Sequence, residues 1–240
     1  AEAFDGYVFG RPKIDKLHWV FVGDPSVVVG NFLAETIDVG YDNIFRLEQT
    51  DTLREQWSQN GKGTVLVALS QTRRTEFQRR VEMQKPQGIF EDVRIRRALM
   101  YALDREAMNE GLLHSQSKPM NSFALPNDPF FAQAEAVSMK YPFDPKMAAQ
   151  LLSEAGFTRG ADGIYLHPSM GRFSIGMQTL DGTQNVQEMT IQADLWKQQG
   201  IEITQYVVPP AQVQDNQVRS TFPGLSSTSS GSIDTFTRAR

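Results

Sequence analysis

Cysteine is absent from the 240-residue sequence, which excludes disulfide bonds, thiolate metal ligands and cysteine nucleophiles. Long apolar runs are absent as well: none approaches the roughly 20 residues of a membrane-spanning helix, so we expect no membrane insertion by this segment. Positive charge is in slight deficit, with 24 Lys and Arg against 28 Asp and Glu. A net charge of −4 favours neither nucleic acid nor an anionic membrane as a partner.

Histidine is scarce, and sequence patterns for catalysis are missing. His18, His114 and His167 are far apart and show no paired spacing, so we expect neither a metal site nor a cofactor. No GxSxG nucleophile motif occurs, and the serine-rich run 225–232 (LSSTSSGS) is predicted to be a loop. The segment Gly61-Lys62-Gly63 is too short to form a phosphate-binding loop.

Two consecutive helices are predicted within residues 90–113 (FEDVRIRRALMYALDREAMNEGLL). Asp92 precedes the first helix and can accept hydrogen bonds from its unpaired N–H groups, and Asp104 can do the same for the second. Apolar residues recur at helical spacing after Asp92, which indicates a buried helix face formed by Ala98, Leu99, Ala102 and Leu103.

Strand and helix patterns alternate along the rest of the chain. We predict strands at 14–22, 64–69, 164–166, 173–180 and 201–208, and helices at 27–34, 43–57, 145–155 and 185–199, the last with a capping-box-like start at Asn185 and Glu188. The remaining segments are predicted to be an irregular aromatic arm (1–12), a solvated polar face (71–84), a long surface loop (115–140) and a loosely patterned end (209–240). This alternation predicts an α/β fold with a mixed sheet and flanking helices.

Several stretches resemble one protein family. The sequence VRIRRALMYALDRE (93–106) is similar to the "VRqALayAiDRe" signature of the family 5 extracellular solute-binding proteins. The sequence YPFDPKMAAQLLSEAGF (141–157) resembles the family's "yPyDpekAk.LLaeAGy", and Ile14-Asp15 with Ile37-Asp38 resemble an earlier motif of the family. The resemblance implies one lobe of a two-lobed, type II-like periplasmic binding protein.

The resemblance also implies a function. Family 5 proteins are the binding components of ABC importers: they capture a peptide-like or other small solute outside the cytoplasmic membrane and deliver it to permease subunits. It implies a periplasmic or extracytoplasmic location, with free and lipid-anchored forms of the full-length protein both open. Family members are much longer, so we expect residues 1–240 to be a single-lobe fragment that folds but binds the solute weakly or not at all on its own. A small α/β hydrolase-like enzyme is the alternative.

The resemblance places the ligand contacts of this lobe near its C-terminal part. The family's Trp- and Asp-containing motif is not found there before Arg240, so the site is predicted from the residues that occupy its position. The predicted ligand-binding residues are Arg219, Phe222, Ser226, Ser227 and Asp234.

Overall fold

A computed structural model of the chain describes residues 1–40, 47–66 and 71–230. The chain divides into two compact units, Ala1–Val67 and Ala68–Arg240. Within the described ranges, no helix is both long enough and apolar enough to cross a membrane.

The first unit contains two helices, α1 (Pro25–Leu33) and α2 (Leu47–Asn60). Phe32 of α1 and Leu53 of α2 are buried in a small apolar cluster. The rings of Phe32 and Trp57 meet edge to face with their centroids 5.9 Å apart. Both helices were predicted, and the residues before Leu47 in the predicted span 43–57 lie outside the described residues.

The strand predicted at 14–22 is wrong. This segment forms one isolated bridge, between Glu2 and Lys16, and the Trp19 and Phe21 side chains are 59% and 93% exposed. The β-branched and aromatic composition favours a strand, but a strand also needs a hydrogen-bonding neighbour along its length. In the strand predicted at 64–69, residues 64–66 have no regular structure and the others lie outside the described residues.

The second unit is built from helices and strands. The helices are α3 (Val93–Tyr101), α4 (Arg105–Leu113), α5 (Phe131–Val137), α6 (Pro145–Glu154), α7 (Thr183–Gln198) and α8 (Asn216–Ser220). The strands are β1 (Thr72–Phe77), β2 (Thr158–Arg159), β3 (Tyr165–His167), β4 (Gly171–Arg172), β5 (Ser174–Leu180), β6 (Glu202–Val208) and β7 (Leu225–Ser230).

The main sheet has the strand order β1-β7-β5-β6. Strand β1 is antiparallel to β7, whereas β7 and β6 both run parallel to β5. The helix α7 lies between β5 and β6 in the chain, as a parallel crossover requires. Strands β2, β3 and β4 form a separate antiparallel sheet. The predicted α/β class with a mixed sheet and flanking helices is therefore confirmed.

The caps predicted for α3, α4 and α6 are present. Asp92, Asp104 and Asp144 each accept hydrogen bonds of 2.8–3.1 Å from N–H groups in the first turns of α3, α4 and α6. The apolar stripes of α3 and α6 face the main core, where Leu99 and Leu152 are fully buried. The Trp196 indole of α7 donates a hydrogen bond of 2.9 Å to the Leu99 carbonyl oxygen and so ties α7 to α3.

Two polar segments proved to be strands. Residues 225–230 of the run predicted as a serine-rich loop form β7, which lies between β1 and β5 and is paired on both sides, and residues 231–232 lie outside the described residues. Part of the predicted solvated face forms β1, in which Thr72 is buried. Neighbouring strands supply the hydrogen bonds for these residues, so a polar sequence does not prevent pairing. A Cβ on Gly224 would lie 2.5 Å from the Gly176 carbonyl oxygen, so glycine is required where the chain enters β7.

Two further predictions need correction. The predicted loop 115–140 contains the short helix α5, which begins two residues after Pro129, the last proline of the segment. Helix α7 begins at Thr183 with Gly182 at its N-cap, so the predicted capping box is wrong. Asn185 instead donates a hydrogen bond of 3.2 Å to the Leu180 carbonyl oxygen, and the Glu188 side chain is buried against β1.

Candidate functional site

A cavity of about 360 Å³ lies in the second unit, between β1, the helices α3, α4 and α7, and the segment 117–123. This volume falls in the range of small-molecule sites, roughly 300–1,000 Å³. Apolar side chains from five elements and from the connection between α3 and α4 form much of its lining: Phe77, Leu99, Leu103, Met108, Trp196 and Leu225. The cavity is therefore a preformed, mainly apolar space with a limited number of polar groups.

An ion pair between Arg73 of β1 and Glu188 of α7 lies in the cavity wall. The side chains are 21% and 4% exposed. Arg73 also donates a hydrogen bond of 2.7 Å to Asn185 Oδ1, and Gln192 donates one of 3.3 Å to Glu188. Burial raises the pKa of Glu188, and the charge of Arg73 offsets only part of that rise. The pair thus fixes β1 against α7 at an electrostatic cost.

Three buried polar atoms of the described residues have no hydrogen-bond partner: Thr72 Oγ1, Asn109 Oδ1 and Ser227 Oγ. Thr72 and Asn109 line the cavity, and Thr72 is only 7% exposed. The Asn109 amide nitrogen is fixed by a hydrogen bond of 3.0 Å to the Ser117 carbonyl oxygen, which leaves its oxygen unpaired. Ser227 lies close enough to Glu188 to lower the pKa of that acid, although no partner meets its hydroxyl at hydrogen-bond geometry. Each of these atoms has almost no accessible surface, and an unpaired buried polar group lowers the stability of the folded chain.

The Glu135 carboxylate of α5 holds part of the cavity rim. It accepts hydrogen bonds from the backbone N–H groups of Asn121 and Ser122, both at 2.8 Å, and from their side chains at 3.0 and 2.8 Å. Burial acts to raise the pKa of Glu135, but these hydrogen bonds together hold it below its ordinary value. The acid is therefore ionised at neutral pH and fixes the segment 121–122.

Arg105, the first residue of α4, holds the same rim from the other side. Its guanidinium donates to the carbonyl oxygens of Met120 and Tyr141, at 2.8 and 3.1 Å, and to Asn121 Oδ1 at 3.1 Å. Burial lowers the pKa of Arg105, although arginine stays charged at any physiological pH. Together, Glu135 and Arg105 give the irregular segment 117–123 a fixed shape.

The structure places the sequence-predicted site residues in separate environments. Arg219 is exposed on α8, and Phe222 is buried just before β7. Ser226 and Ser227 are consecutive on β7, so their side chains point to opposite faces of the sheet. Asp234 lies outside the described residues. Of the four that are described, Ser227 alone lies beside the polar groups of the cavity, through its position near Glu188.

The sequence reasoning missed the polar residues of the cavity, above all Arg73, Thr72, Asn109 and Glu188. One signal was available for the last of these. Glu188 and Gln192 are four residues apart and flank the apolar stripe of α7, so both belong to the face of the helix next to the core. An acid and an amide on that face indicate a buried polar network.

In the described part of the chain, no cluster of three or more His, Asp or Glu could hold a metal ion.

Comparison with known proteins shows the family. The profile described as "Bacterial extracellular solute-binding proteins, family 5 Middle" matches residues 1–236. The oligopeptide-binding protein AppA of Bacillus subtilis is 27% identical over 86% of this chain. This chain covers 36% of AppA, so it spans about a third of the length of that relative.

Solved structures agree with this result. The oligopeptide-binding protein of Thermus thermophilus, complexed with a pentapeptide, has a TM-score of 0.57 and 25% identity, over 67% of this chain and 28% of that one. NikA of Brucella suis, in complex with Fe(III)-EDTA, shares the fold with a TM-score of 0.67 and 22% identity, over 87% of this chain and 40% of that one. The chain belongs to family 5 of the bacterial extracellular solute-binding proteins.

Proposed function

We propose that this chain is part of the substrate-binding component of an ABC importer, which captures a peptide-like or other small solute. The observation that carries this proposal is the family match over residues 1–236. The preformed, mainly apolar cavity in the second unit supports it, because binding proteins hold small solutes in concave sites with a few fixed polar groups.

The peptide-like solute is proposed from the relatives. AppA and the Thermus protein are named as oligopeptide-binding proteins, whereas NikA was solved with a metal chelate. Because these proteins share one fold, that fold accommodates solutes of different chemistry, and the choice among them depends on the side chains that line the site. Two of the three names refer to peptides, which is why we propose a peptide-like solute.

The ligand contacts are proposed in two groups. Arg219, Phe222, Ser226, Ser227 and Asp234 stay predicted contacts, since they occupy the position that the family resemblance assigns to the cleft. The cavity behind β1 is the second proposed contact region, and Ser227 is the residue that links the two groups.

Permease subunits of the importer are the proposed partners, and the proposed location is outside the cytoplasmic membrane, either free or lipid-anchored.

We propose a binding protein in preference to the alternative of a hydrolase-like enzyme. Among the described residues, Ser169 and His167 do make contact, with Oγ and Nδ1 3.1 Å apart. This contact lies in the exposed turn between β3 and β4, and the same Nδ1 accepts the backbone N–H groups of Ser169 and Met170. A ring nitrogen that accepts two backbone N–H groups stabilises a turn, so this contact does not support nucleophilic catalysis.

Mass spectrometry tests the proposal. The complete gene product is purified without denaturation from the cells that produce it, and its bound small molecules are released and identified. We expect a small organic solute at near-stoichiometric amounts, recovered unchanged after incubation with the protein. A solute that is converted into product, with turnover lost in Ser169→Ala, would establish the hydrolase alternative instead.

A further inference from the structure

The charged side chains that line the cavity are unequal in number. The lining contains one acid, Glu188, and four cations: Arg73, Arg74, Arg105 and Lys118. Two of the cations are already paired with acids, Arg73 with Glu188 and Arg74 with Glu76. Among the described residues, Arg105 and Lys118 have no acidic ion-pair partner. These two side chains therefore bring positive charge to the cavity that no acid of the lining neutralises.

Arg105 is partly buried, and its hydrogen-bonding capacity is not exhausted. Its guanidinium donates three hydrogen bonds, all of them to uncharged oxygen atoms. A guanidinium has five N–H groups, so two of them have no acceptor among the described residues. Glu106 and Glu135 lie near enough to act to raise the pKa of Arg105, but burial outweighs them and lowers it. The positive charge of Arg105 is thus only partly compensated.

Lys118 carries the second charge and is accessible. It is an exposed residue of the rim segment 117–123, and its ammonium lies 5.2 Å from the centre of the Phe131 ring, a contact that leaves its charge in place. The hydrogen bonds of Arg105 and Glu135 fix the backbone of this segment. An anion at the rim would meet this positive charge while it stays in contact with water, so it would avoid the desolvation cost of a buried ion.

The interior of the cavity is suited to hydrocarbon. Its volume of about 360 Å³ is far above the roughly 10–15 Å³ that a single water molecule requires. Leu103, Met108 and Trp196 belong to an apolar lining that offers few hydrogen-bonding groups. Exclusion of water from a hydrocarbon group in this space would contribute to its affinity. The cavity is therefore apolar inside and cationic at its rim.

We infer that this cavity binds a part of the solute in which a hydrocarbon group is joined to a carboxylate, with the hydrocarbon inside and the carboxylate at the rim beside Lys118 and Arg105. The inference deepens the proposed function and rests on it, because the cavity would hold one portion of the captured solute. Lys118 and Arg105 determine the specificity: they favour a carboxylate over an amide of the same shape and disfavour an ammonium group, since unpaired positive charges attract anions and repel cations.

Three probes with one hydrocarbon skeleton test the preference: 3-phenylpropanoate, 3-phenylpropanamide and 3-phenylpropylamine. Each is titrated by saturation-transfer NMR against the complete gene product after its bound material has been removed. The carboxylate should bind about three- to tenfold more tightly than the amide, as one or two partly exposed ion pairs would produce. The amine should bind more weakly than the amide.

Salt provides a second readout of the same preference. The difference between the carboxylate and the amide should shrink as the salt concentration rises from about 0.01 M to about 1 M, because the Debye length falls from about 30 Å to about 3 Å. Equal binding of the three probes, tighter binding of the amide or the amine, no binding of the carboxylate, or a preference that salt does not change would overturn the inference.

Variants locate the site. Lys118→Met removes the charge with little change in side-chain length and should reduce the preference for the carboxylate at least twofold, whereas Lys118→Arg should keep it. Leu112→Trp, which fills the cavity from α4, should abolish binding of all three probes. Lys146→Met, at an exposed position of α6 outside the cavity lining, is the matched control and should bind like the wild type.

Circular dichroism confirms that each variant is folded. An unchanged preference in a folded Lys118→Met protein would show that this charge does not select the carboxylate and would overturn the inference. Unchanged carboxylate binding by a folded Leu112→Trp protein would place the probe elsewhere and would overturn it as well.

The same variants separate this inference from the proposed function. If the complete gene product captures its solute and Leu112→Trp leaves that affinity unchanged, the cavity is not a solute site and the inference fails, while the proposed function stands. If the probes behave as expected but the complete gene product captures no solute, the proposed function fails. A solute that carries a carboxylate beside hydrocarbon, and whose affinity drops at least tenfold in Leu112→Trp, would support both.

Discussion

The buried ion pair between Arg73 and Glu188 makes a quantitative prediction about stability. The two residues are 115 positions apart in the sequence and join β1 to α7. The acid is the more deeply buried partner, at 4% exposure against 21% for the arginine. Arg73→Met therefore leaves an almost fully buried carboxylate without its counter-ion, whereas Glu188→Leu leaves an arginine that still contacts Asn185 and can reach solvent.

The expected magnitudes follow from this asymmetry. Removing one partner of a buried pair typically costs about 3–5 kcal/mol, and we expect Arg73→Met to fall in that range. Glu188→Leu should cost about 1–3 kcal/mol, as is usual when a polar group is left unsatisfied. The double variant replaces both charges by apolar groups of similar size, so it should be more stable than Arg73→Met alone.

Urea denaturation followed by circular dichroism at pH 7 gives the four free energies of this double-mutant cycle. The control is Arg172→Met, which breaks the exposed contacts of Arg172 with Glu202 and Asp162. That change should cost no more than about 1 kcal/mol, as exposed ion pairs do. If the free-energy changes of Arg73→Met and Glu188→Leu simply add up in the double variant, the argument from burial is refuted.

The pH dependence of the same residue has a definite sign. The pKa of Glu188 is raised in the folded protein, mainly by burial, so the folded state binds its proton more tightly than the unfolded state does. This contribution to stability is complete below the ordinary pKa of glutamate and is lost as the pH rises through the raised value. The stability of the wild type relative to Glu188→Gln should therefore fall as the pH rises from the ordinary pKa of glutamate through the raised value. A difference that stays constant, or grows with pH, would contradict the assigned direction.

Three further predictions concern stability and the cavity rim, each measured as a change in free energy of unfolding. Leu99→Ala and Leu152→Ala should each cost about 2–5 kcal/mol, since both side chains are fully buried; an unchanged urea midpoint would contradict this. Asp144→Ala should cost about 1 kcal/mol through the lost cap of α6, and Asp144→Asn, which keeps an acceptor, should cost less. Glu135→Leu should cost about 1–3 kcal/mol, because the backbone N–H groups of Asn121 and Ser122 lose their acceptor; an unchanged urea midpoint would show that this acid does not position the rim.

The local elements of the fold were predictable where local chemistry determines them. Asp92, Asp104 and Asp144 each stand directly before an apolar helical stripe, and each caps the helix that was predicted. The strands β5 and β6 were predicted as well, because their apolar residues are continuous or alternate. In these segments the helix or strand tendency and the buried face are encoded in neighbouring residues.

The strands whose formation depends on distant partners could not be predicted in this way. The polar sequence of β7 is a strand because β1 and β5 supply hydrogen bonds on both sides, from positions more than 40 residues away. The segment 14–22 has the composition of a strand and is not one, because it finds only a single bridge. Pairing is a property of the assembled sheet, and a single sequence contains no direct record of it.

The cavity was missed for the same reason. Its polar groups come from β1, α4 and α7, which are far apart in the chain and have no shared motif. The predicted contacts were instead taken from one continuous C-terminal stretch, which the fold distributes over α8, the turn before β7 and both faces of that strand. A site assembled from distant elements becomes visible only when the fold brings them together.

Calorimetry tests the central claim of solute capture most directly. The solute identified by mass spectrometry is titrated back into the complete gene product after the bound material has been removed. The account predicts saturable binding of one solute per chain, with the solute recovered chemically unchanged at the end of the titration. Heat that shows no saturation with any recovered compound, or a recovered compound that has been converted into another, would contradict it.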